Sequence, residues 1–263
     1  MIEKNNKLKL KSINSLIRNR NQIIACKAIL ESFGVLKFTF DNNILKRDMI
    51  NLAFSFGIPR KIKYLLTDKE NDLINVVMKK GKRNSVFGDI WHSDHAYEKI
   101  PPNYTLIHCP TIPPYGGDTL FSFNKKSYDI FSKKYGTIHD NKTIINTMPD
   151  ETKYLLKTKY PSLTNIETCC EKSLVKKVNG IKVFACNRYH TIASKQKDCT
   201  IDKKLLETIF SIQESKKVIE NISWEDNQII IWNNDLVLHK ASNDYDSFDR
   251  KIWRILIDTQ NNQ

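Results

Sequence analysis

The sequence has no apolar run approaching the eighteen or so residues that cross a bilayer, so no transmembrane helix is expected. Its first residues are polar and lack the apolar core of a secretory leader. None of the six cysteines (Cys26, Cys109, Cys169, Cys170, Cys186 and Cys199) stands in a CxxC pair, which leaves a thiolate zinc site without its usual spacing. The adjacent Cys169 and Cys170 make a poor structural staple, so reduced thiols in a cytoplasmic setting are the expectation. Internal repeats and low-complexity linkers are also missing. Acidic residues are scarce: 29 Asp and Glu face 42 Lys and Arg, for a net charge of +13.

A basic excess of that size raises the prospect of phosphate binding. Here, however, lysine is scattered through the chain among abundant Asn and Ile, and no nucleic-acid-binding motif accompanies it. The expected partner is therefore a small molecule, with neither nucleic acid nor membrane, in a protein that could form a homo-oligomer. Basic residues are densest over residues 3–20, where Glu3 is the lone acid. That stretch reads as a solvated tail (1–20) ahead of a single domain (21–263).

Hydrophobic residues make up 40 % of the chain and charged residues 27 %, as in globular proteins. Apolar residues at Ile23, Ile24, Ala28, Ile29 and Leu30 predict a helix over Asn21–Phe33, stopped by Gly34. Val35–Phe40 alternates as a strand does. Asn42 or Asn43 is placed to cap a helix ending at Phe56. From Ser85 onward, short strand-like runs alternate with Pro and Gly: Tyr104–Cys109, Leu120–Phe123, Lys182–Cys186, Gln228–Trp232 and Lys251–Ile257. An Asn179–Gly180 turn precedes the third of these. Helices are predicted at Lys125–Tyr135 and Asp202–Glu214. Residues 61–83 and 139–200 resist assignment and read as segments that shape a substrate pocket. Together these elements predict an α+β chain with a mainly β core, in a sandwich or small barrel.

The chemistry centres on His92-Ser93-Asp94 and, far downstream, His239. In an extended strand residues i and i+2 share a face, so His92 and Asp94 can hold one ion together. With His239 they supply two imidazoles and one carboxylate, the facial set that non-haem iron(II) oxygenases use. A single carboxylate leaves a ferrous ion with one positive charge, which favours an anionic chelator such as a 2-oxo acid. A lone H-x-D is weak evidence, because hydrogen-bonded histidines explain most such pairs. His95 is expected on the opposite face as a structural residue, and His108, His139 and His190 are read the same way.

Further residues at fixed distances add weight. Thr119, in Gly116-Gly117-Asp118-Thr119, follows Asp94 by 25 positions, and Arg250 follows His239 by 11. Arg250 and Arg254 share one face of a strand, about 13 Å apart at roughly 3.3 Å per residue. Arginine's planar fork suits a carboxylate. Zinc-dependent hydrolysis on the same ligands would leave Thr119 and both arginines without a purpose.

These motifs resemble the taurine dioxygenase/TfdA family of 2-oxoglutarate-dependent oxygenases. The resemblance runs over roughly Gln22–Thr259. It is carried by Trp91-His92-Ser93-Asp94-His95, by Pro113-Pro114-Tyr115-Gly116-Gly117-Asp118-Thr119, by the His239–Arg250 spacing and by Asn243-Asp244-Tyr245. It implies a double-stranded β-helix (jelly-roll) core with flanking helices, iron(II) on His92, Asp94 and His239, and 2-oxoglutarate and O2 as cosubstrates. It further implies that Arg250 and the Thr119 hydroxyl anchor the distal carboxylate of 2-oxoglutarate, and that Arg254 faces an anionic, sulfonate-like group on the substrate. The implied reaction is hydroxylation with release of succinate and CO2; desaturation or another tailoring step on a biosynthetic metabolite is the alternative within the same family. The chain departs from the family's W-D-N-R run at Trp232-Asn233-Asn234-Asp235, and Gly88 occupies one of the substrate-sensing places upstream.

Overall fold

The computed structural model describes residues 7–81, 88–192 and 203–259. The chain begins with β1 (Lys7–Leu10), α1 (Ile13–Arg18), α2 (Arg20–Phe33), β2 (Val35–Phe40), α3 (Lys46–Phe56), β3 (Ile58–Arg60) and β4 (Asn75–Lys79). It continues through β5 (Tyr104–Thr111), β6 (Thr119–Phe123), α4 (Asn124–Tyr135), β7 (Thr143–Thr147), α5 (Asp150–Lys159) and β8 (Cys169–Ser173). Then come β9 (Val175–Val178), β10 (Ile181–Phe184), β11 (Thr191–Ile192), α6 (Lys203–Gln213), β12 (Ile219–Ile222), β13 (Gln228–Asn233), β14 (Val237–Ala241) and β15 (Arg250–Asp258). No helix among the described residues is long and apolar enough to cross a membrane.

β13 organises the main sheet. Every one of its residues is buried, because it runs mid-sheet with both faces covered. The order is β1-β2-β13-β5-β15-β3, with β4 also pairing β15, and only β1 and β2 run parallel. On one face Ile229 and Ile231 join Leu36, Phe38, Ile255 and Ile257 under α1, α2 and α3. On the other, Ile230 and Trp232 pack with Ile107 and Ile252 against Phe121 of β6 and Val237 of β14. β6 and β14 belong to a second sheet of order β12-β6-β14. Two packed, mainly antiparallel sheets with helices outside match the expected jelly-roll core. The third sheet, β11-β7-β8, and strand β9 arise from the stretch that resisted assignment, while β10 overlaps the one strand expected there, Lys182–Cys186. Asn179 and Gly180 take φ values of 49° and 82°, the left-handed pair that a tight two-residue hairpin requires.

Several expectations need correction. The basic stretch is not a solvated tail from Lys7 onward. β1 pairs with β2, Ser12 caps α1 reciprocally with Ser15, and Ile13 and Leu16 are buried in the core. Apolar side chains interleaved with the lysines explain this: the apolar members dock while Lys7 reaches out to Glu225 at 2.9 Å. The third helix starts at Lys46 with no side-chain cap, because Ile44 turns into the core first. Residues 61–83 include the strand β4. Asp202 and Cys199 lie outside the described residues; the other five cysteines are free thiols.

Because Leu16 is 1 % exposed, Leu16→Ala is expected to lower the free energy of unfolding by about 2–5 kcal/mol in urea titration. An unchanged midpoint and slope would mean that α1 does not dock.

Candidate metal centre

His92 and His239 are joined through the backbone. The His239 N–H donates to the His92 carbonyl at 2.8 Å, and the His92 N–H donates to the His239 carbonyl at 3.1 Å. This single antiparallel bridge ties the segment before β5 to β14 and puts the two imidazole centroids 4.1 Å apart. The expected strand geometry ends there. Asp94 opens a turn, and His95 takes a φ of 53°. Asp94 therefore reaches the histidines through a turn and not along a pleated strand.

One ligand atom from each of His92, Asp94 and His239 lies within 4.8 Å of the others, and all three residues are buried. The Nε2 atoms of His92 and His239 are each 3.9 Å from an Asp94 oxygen, too far for a hydrogen bond and close enough to share an ion. His92 Nδ1 sits 2.7 Å from the Ile90 carbonyl, which can only accept. Nδ1 thus carries the proton, and Nε2 turns its lone pair toward Asp94. Burial pushes the pKa of both histidines down, against the pull of Asp94, so both stay neutral and ready to ligate. Burial alone would raise the Asp94 carboxyl. The Arg254 guanidinium outweighs it and holds the group well below the usual carboxylate range.

Each Asp94 oxygen has its own donor. Arg254 Nη1 donates to Oδ1 at 2.9 Å, and Thr105 Oγ1 donates to Oδ2 at 2.7 Å. Behind them stands Asn234, which the sequence reading passed over. Its Nδ2 donates to Thr105 Oγ1 at 2.9 Å, its Oδ1 accepts from Trp232 Nε1 at 2.9 Å, and its carbonyl accepts from Ser93 Oγ at 2.6 Å. Asn234 matches the family's run between two positions that differ, and that match was the available signal. Of the differing residues, Asp235 pairs with Lys176, and Asn233 Oδ1 accepts from the Asp235 N–H.

Two clefts meet at Gly88, His92 and Arg254. Gly88 has a φ of 85°, and a Cβ there would stand 3.3 Å from the His92 ring, so this place carries no side chain. The first cleft takes Tyr64 from residues 61–83 and Pro149, Tyr189 and His190 from residues 139–200. His95 and His190, read as structural, both line it; the turn at Asp94 brings His95 there. Burial lowers the His190 pKa to about 3. His108 instead faces the Gln228 carbonyl, and His139 packs on Phe131; neither lines the two clefts.

The second cleft runs from His239 to Thr119 and Arg250. Arg250 is 4 % exposed, yet among the described residues it forms no ion pair; its Nη2 donates to Thr119 Oγ1 at 3.4 Å. Asp244 feels its charge from beyond ion-pair distance, so the desolvation cost of this buried guanidinium is only partly met, and an anionic ligand would offset the rest. The Gly116-Gly117 turn makes room for it. A Cβ on Gly116 would collide with Asp244, and one on Gly117 would crowd the Arg250 side chain. The residues present therefore fit both an ion at the His92–Asp94–His239 cluster and an anion at Arg250.

The architecture and these sites define a jelly-roll protein with a candidate mononuclear metal centre. A family model described as "Taurine catabolism dioxygenase TauD, TfdA family" matches residues 20–256, and the chain belongs to that family. An alpha-ketoglutarate-dependent sulfonate dioxygenase of Saccharomyces cerevisiae is 26 % identical over 172 residues, 63 % of this chain and 41 % of the yeast protein. The chain spans less than half the length of the curated relatives it matches. A crystal structure titled as a putative alpha-ketoglutarate-dependent taurine dioxygenase from Burkholderia xenovorans superposes with a TM-score of 0.73 at 18 % identity, covering 91 % of this chain and 83 % of that one. AAD-2, solved with Mn(II) and N-oxalylglycine, gives 0.72 at 16 % identity over 91 % and 89 % of the two chains.

Two measurements check the centre. At pH 6.0 an unperturbed pair of imidazoles would release about 1.5 protons on binding one divalent ion. Burial lowers both pKa values here, so calorimetry in buffers of different ionisation enthalpy should find well under one; 1.5 would contradict the neutral pair. Asn234→Ala should weaken Mn(II) binding about 10- to 100-fold, the usual cost of losing a group that orients a ligand. Unchanged affinity would show that the Thr105–Asn234 chain does not hold Asp94.

Proposed function

We propose that the chain is a non-haem iron(II), 2-oxoglutarate-dependent dioxygenase that hydroxylates a small anionic organic substrate. The observation that carries this reading is the convergence of His92, Asp94 and His239 at one end of a cleft whose other end holds Arg250, which has no ion pair among the described residues. Zinc-dependent hydrolysis would not use that arginine. Family membership and the sulfonate dioxygenase relatives support the same reading.

His92 Nε2, His239 and Asp94 would hold the iron(II). When bound, the ion supplies dioxygen activation coupled to conversion of 2-oxoglutarate to succinate and CO2. Arg250 would take the distal carboxylate of 2-oxoglutarate through its fork, with Thr119 Oγ1 beside it. Trp232, Ile107, Ile252 and Val77 make the walls of that cleft apolar, which limits water there and strengthens the charge pairing. The first cleft would take the substrate. Arg254 lines both clefts and holds Asp94 Oδ1, so it can face a substrate anion while keeping the carboxylate oriented.

With iron(II), ascorbate and oxygen, the purified protein should convert 2-oxoglutarate to succinate, slowly even without substrate. Asp94→Ala should abolish that release, and retained turnover would refute the ligand assignment. Arg250→Ala should raise the KM for 2-oxoglutarate on the order of tenfold or more, through loss of a charge-assisted pair. Arg254→Ala should raise it far less; equal effects would mean that the two arginines are wrongly assigned.

A further inference from the structure

His190 brings to the first cleft a ring nitrogen that no described residue of the protein uses. The residue is 3 % exposed and lines the cleft beside the candidate metal ligands. Its Nδ1 lies 3.1 Å from the Thr147 carbonyl oxygen. A carbonyl only accepts, so the proton resides on Nδ1, and Nε2 keeps a lone pair on the opposite side of the ring. Nε2 has no hydrogen-bond partner among the described residues.

The ring is also held in place. The His190 N–H donates to Asn187 Oδ1 at 3.0 Å, and its carbonyl accepts from the Thr147 N–H at 2.7 Å. The Tyr97 and Tyr189 rings pack on it at centroid distances of 5.2 and 4.9 Å, and the His92 ring lies 6.4 Å away. Two neighbouring hydroxyls and one neighbouring ring nitrogen are already engaged. The Tyr64 and Tyr97 hydroxyls bond each other at 2.8 Å and share His95 Nδ1, which also meets Glu98 at 2.8 Å. A molecule entering the cleft thus meets a donor-only cation, Arg254, and an acceptor-only nitrogen, His190 Nε2.

Resting on the oxygenase reading, we propose that His190 Nε2 determines specificity, accepting a hydrogen bond from an O–H or N–H group that the anionic substrate carries close to the carbon it presents to the metal. The site would then favour hydroxy- or amino-substituted small anions over their alkyl counterparts.

The test uses three sets of probes, sulfonates, phosphonates and carboxylates, each with a two-carbon chain ending in hydroxyl, amine or methyl. Binding is measured by calorimetry on the full chain loaded with Mn(II) and N-oxalylglycine, which does not turn over. The wild-type protein should bind the hydroxyl or amine member of at least one set about three- to tenfold more tightly than the methyl member, the range of one neutral hydrogen bond. A hydroxyl preference identifies an alcohol, and an amine preference an ammonium or amine. His190→Phe should bring the ratio within about twofold of unity, while His190→Gln, whose Oε1 can accept, should retain a preference. Equal binding by the wild-type protein, no binding by any set, or a preference surviving in His190→Phe would overturn the proposal. Failure of the iron-loaded wild-type protein to release succinate from 2-oxoglutarate would instead overturn the oxygenase reading itself, and the proposal with it.

Discussion

Two backbone hydrogen bonds between His92 and His239 hold the candidate centre together. They join segments remote in sequence and bring two imidazoles within reach of Asp94. The carboxylate is oriented independently, by Arg254 on one oxygen and Thr105 on the other. Removing one partner of such a buried pair leaves an uncompensated charge, and that penalty fixes the arrangement more firmly than the attraction alone. Asn234 then links the Thr105 side of this cage to the end of β13 and to Ser93 between the two candidate ligands.

The two arginines of β15 show how one strand serves two purposes. Arg250, Ile252 and Arg254 face inward at alternate positions, toward the cleft that Val77 of β4 also lines. Arg254 pairs with Asp94; Arg250 has no carboxylate within ion-pair distance among the described residues, and meets the Thr119 hydroxyl and the Tyr245 ring. Electrostatic satisfaction inside the fold is therefore uneven. The uneven end is where an external carboxylate would complete the balance.

Much of the framework was legible beforehand. The strands at β2, β13 and β15 and the helices at α2, α4 and α6 follow from apolar periodicity, because each turns a continuous face to a covered sheet or core. The Asn179–Gly180 hairpin follows from the need for two left-handed residues. Other parts were not legible. The start of the chain looked like a tail because its lysines dominate the composition, yet Leu16 and Ile13 carry its energetics. Strands of two to five residues, such as β7, β8 and β11, are stabilised by partners distant in the chain, so local pattern says little about them.

His92, Asp94, His239, Thr119, Arg250 and Arg254 could be picked out from the sequence because donor type and spacing are written in it directly. Which donor meets which group could not. The turn at Asp94, the commitment of Arg254 to that carboxylate, the support from Asn234 and the entry of His95 and His190 into a cleft all depend on contacts between segments far apart along the chain. Chain connectivity preserves the identity and order of these groups, whereas backbone pairing and burial set their orientation. Residue types therefore named the chemistry, and only the packed sheets decided where each lone pair and charge points.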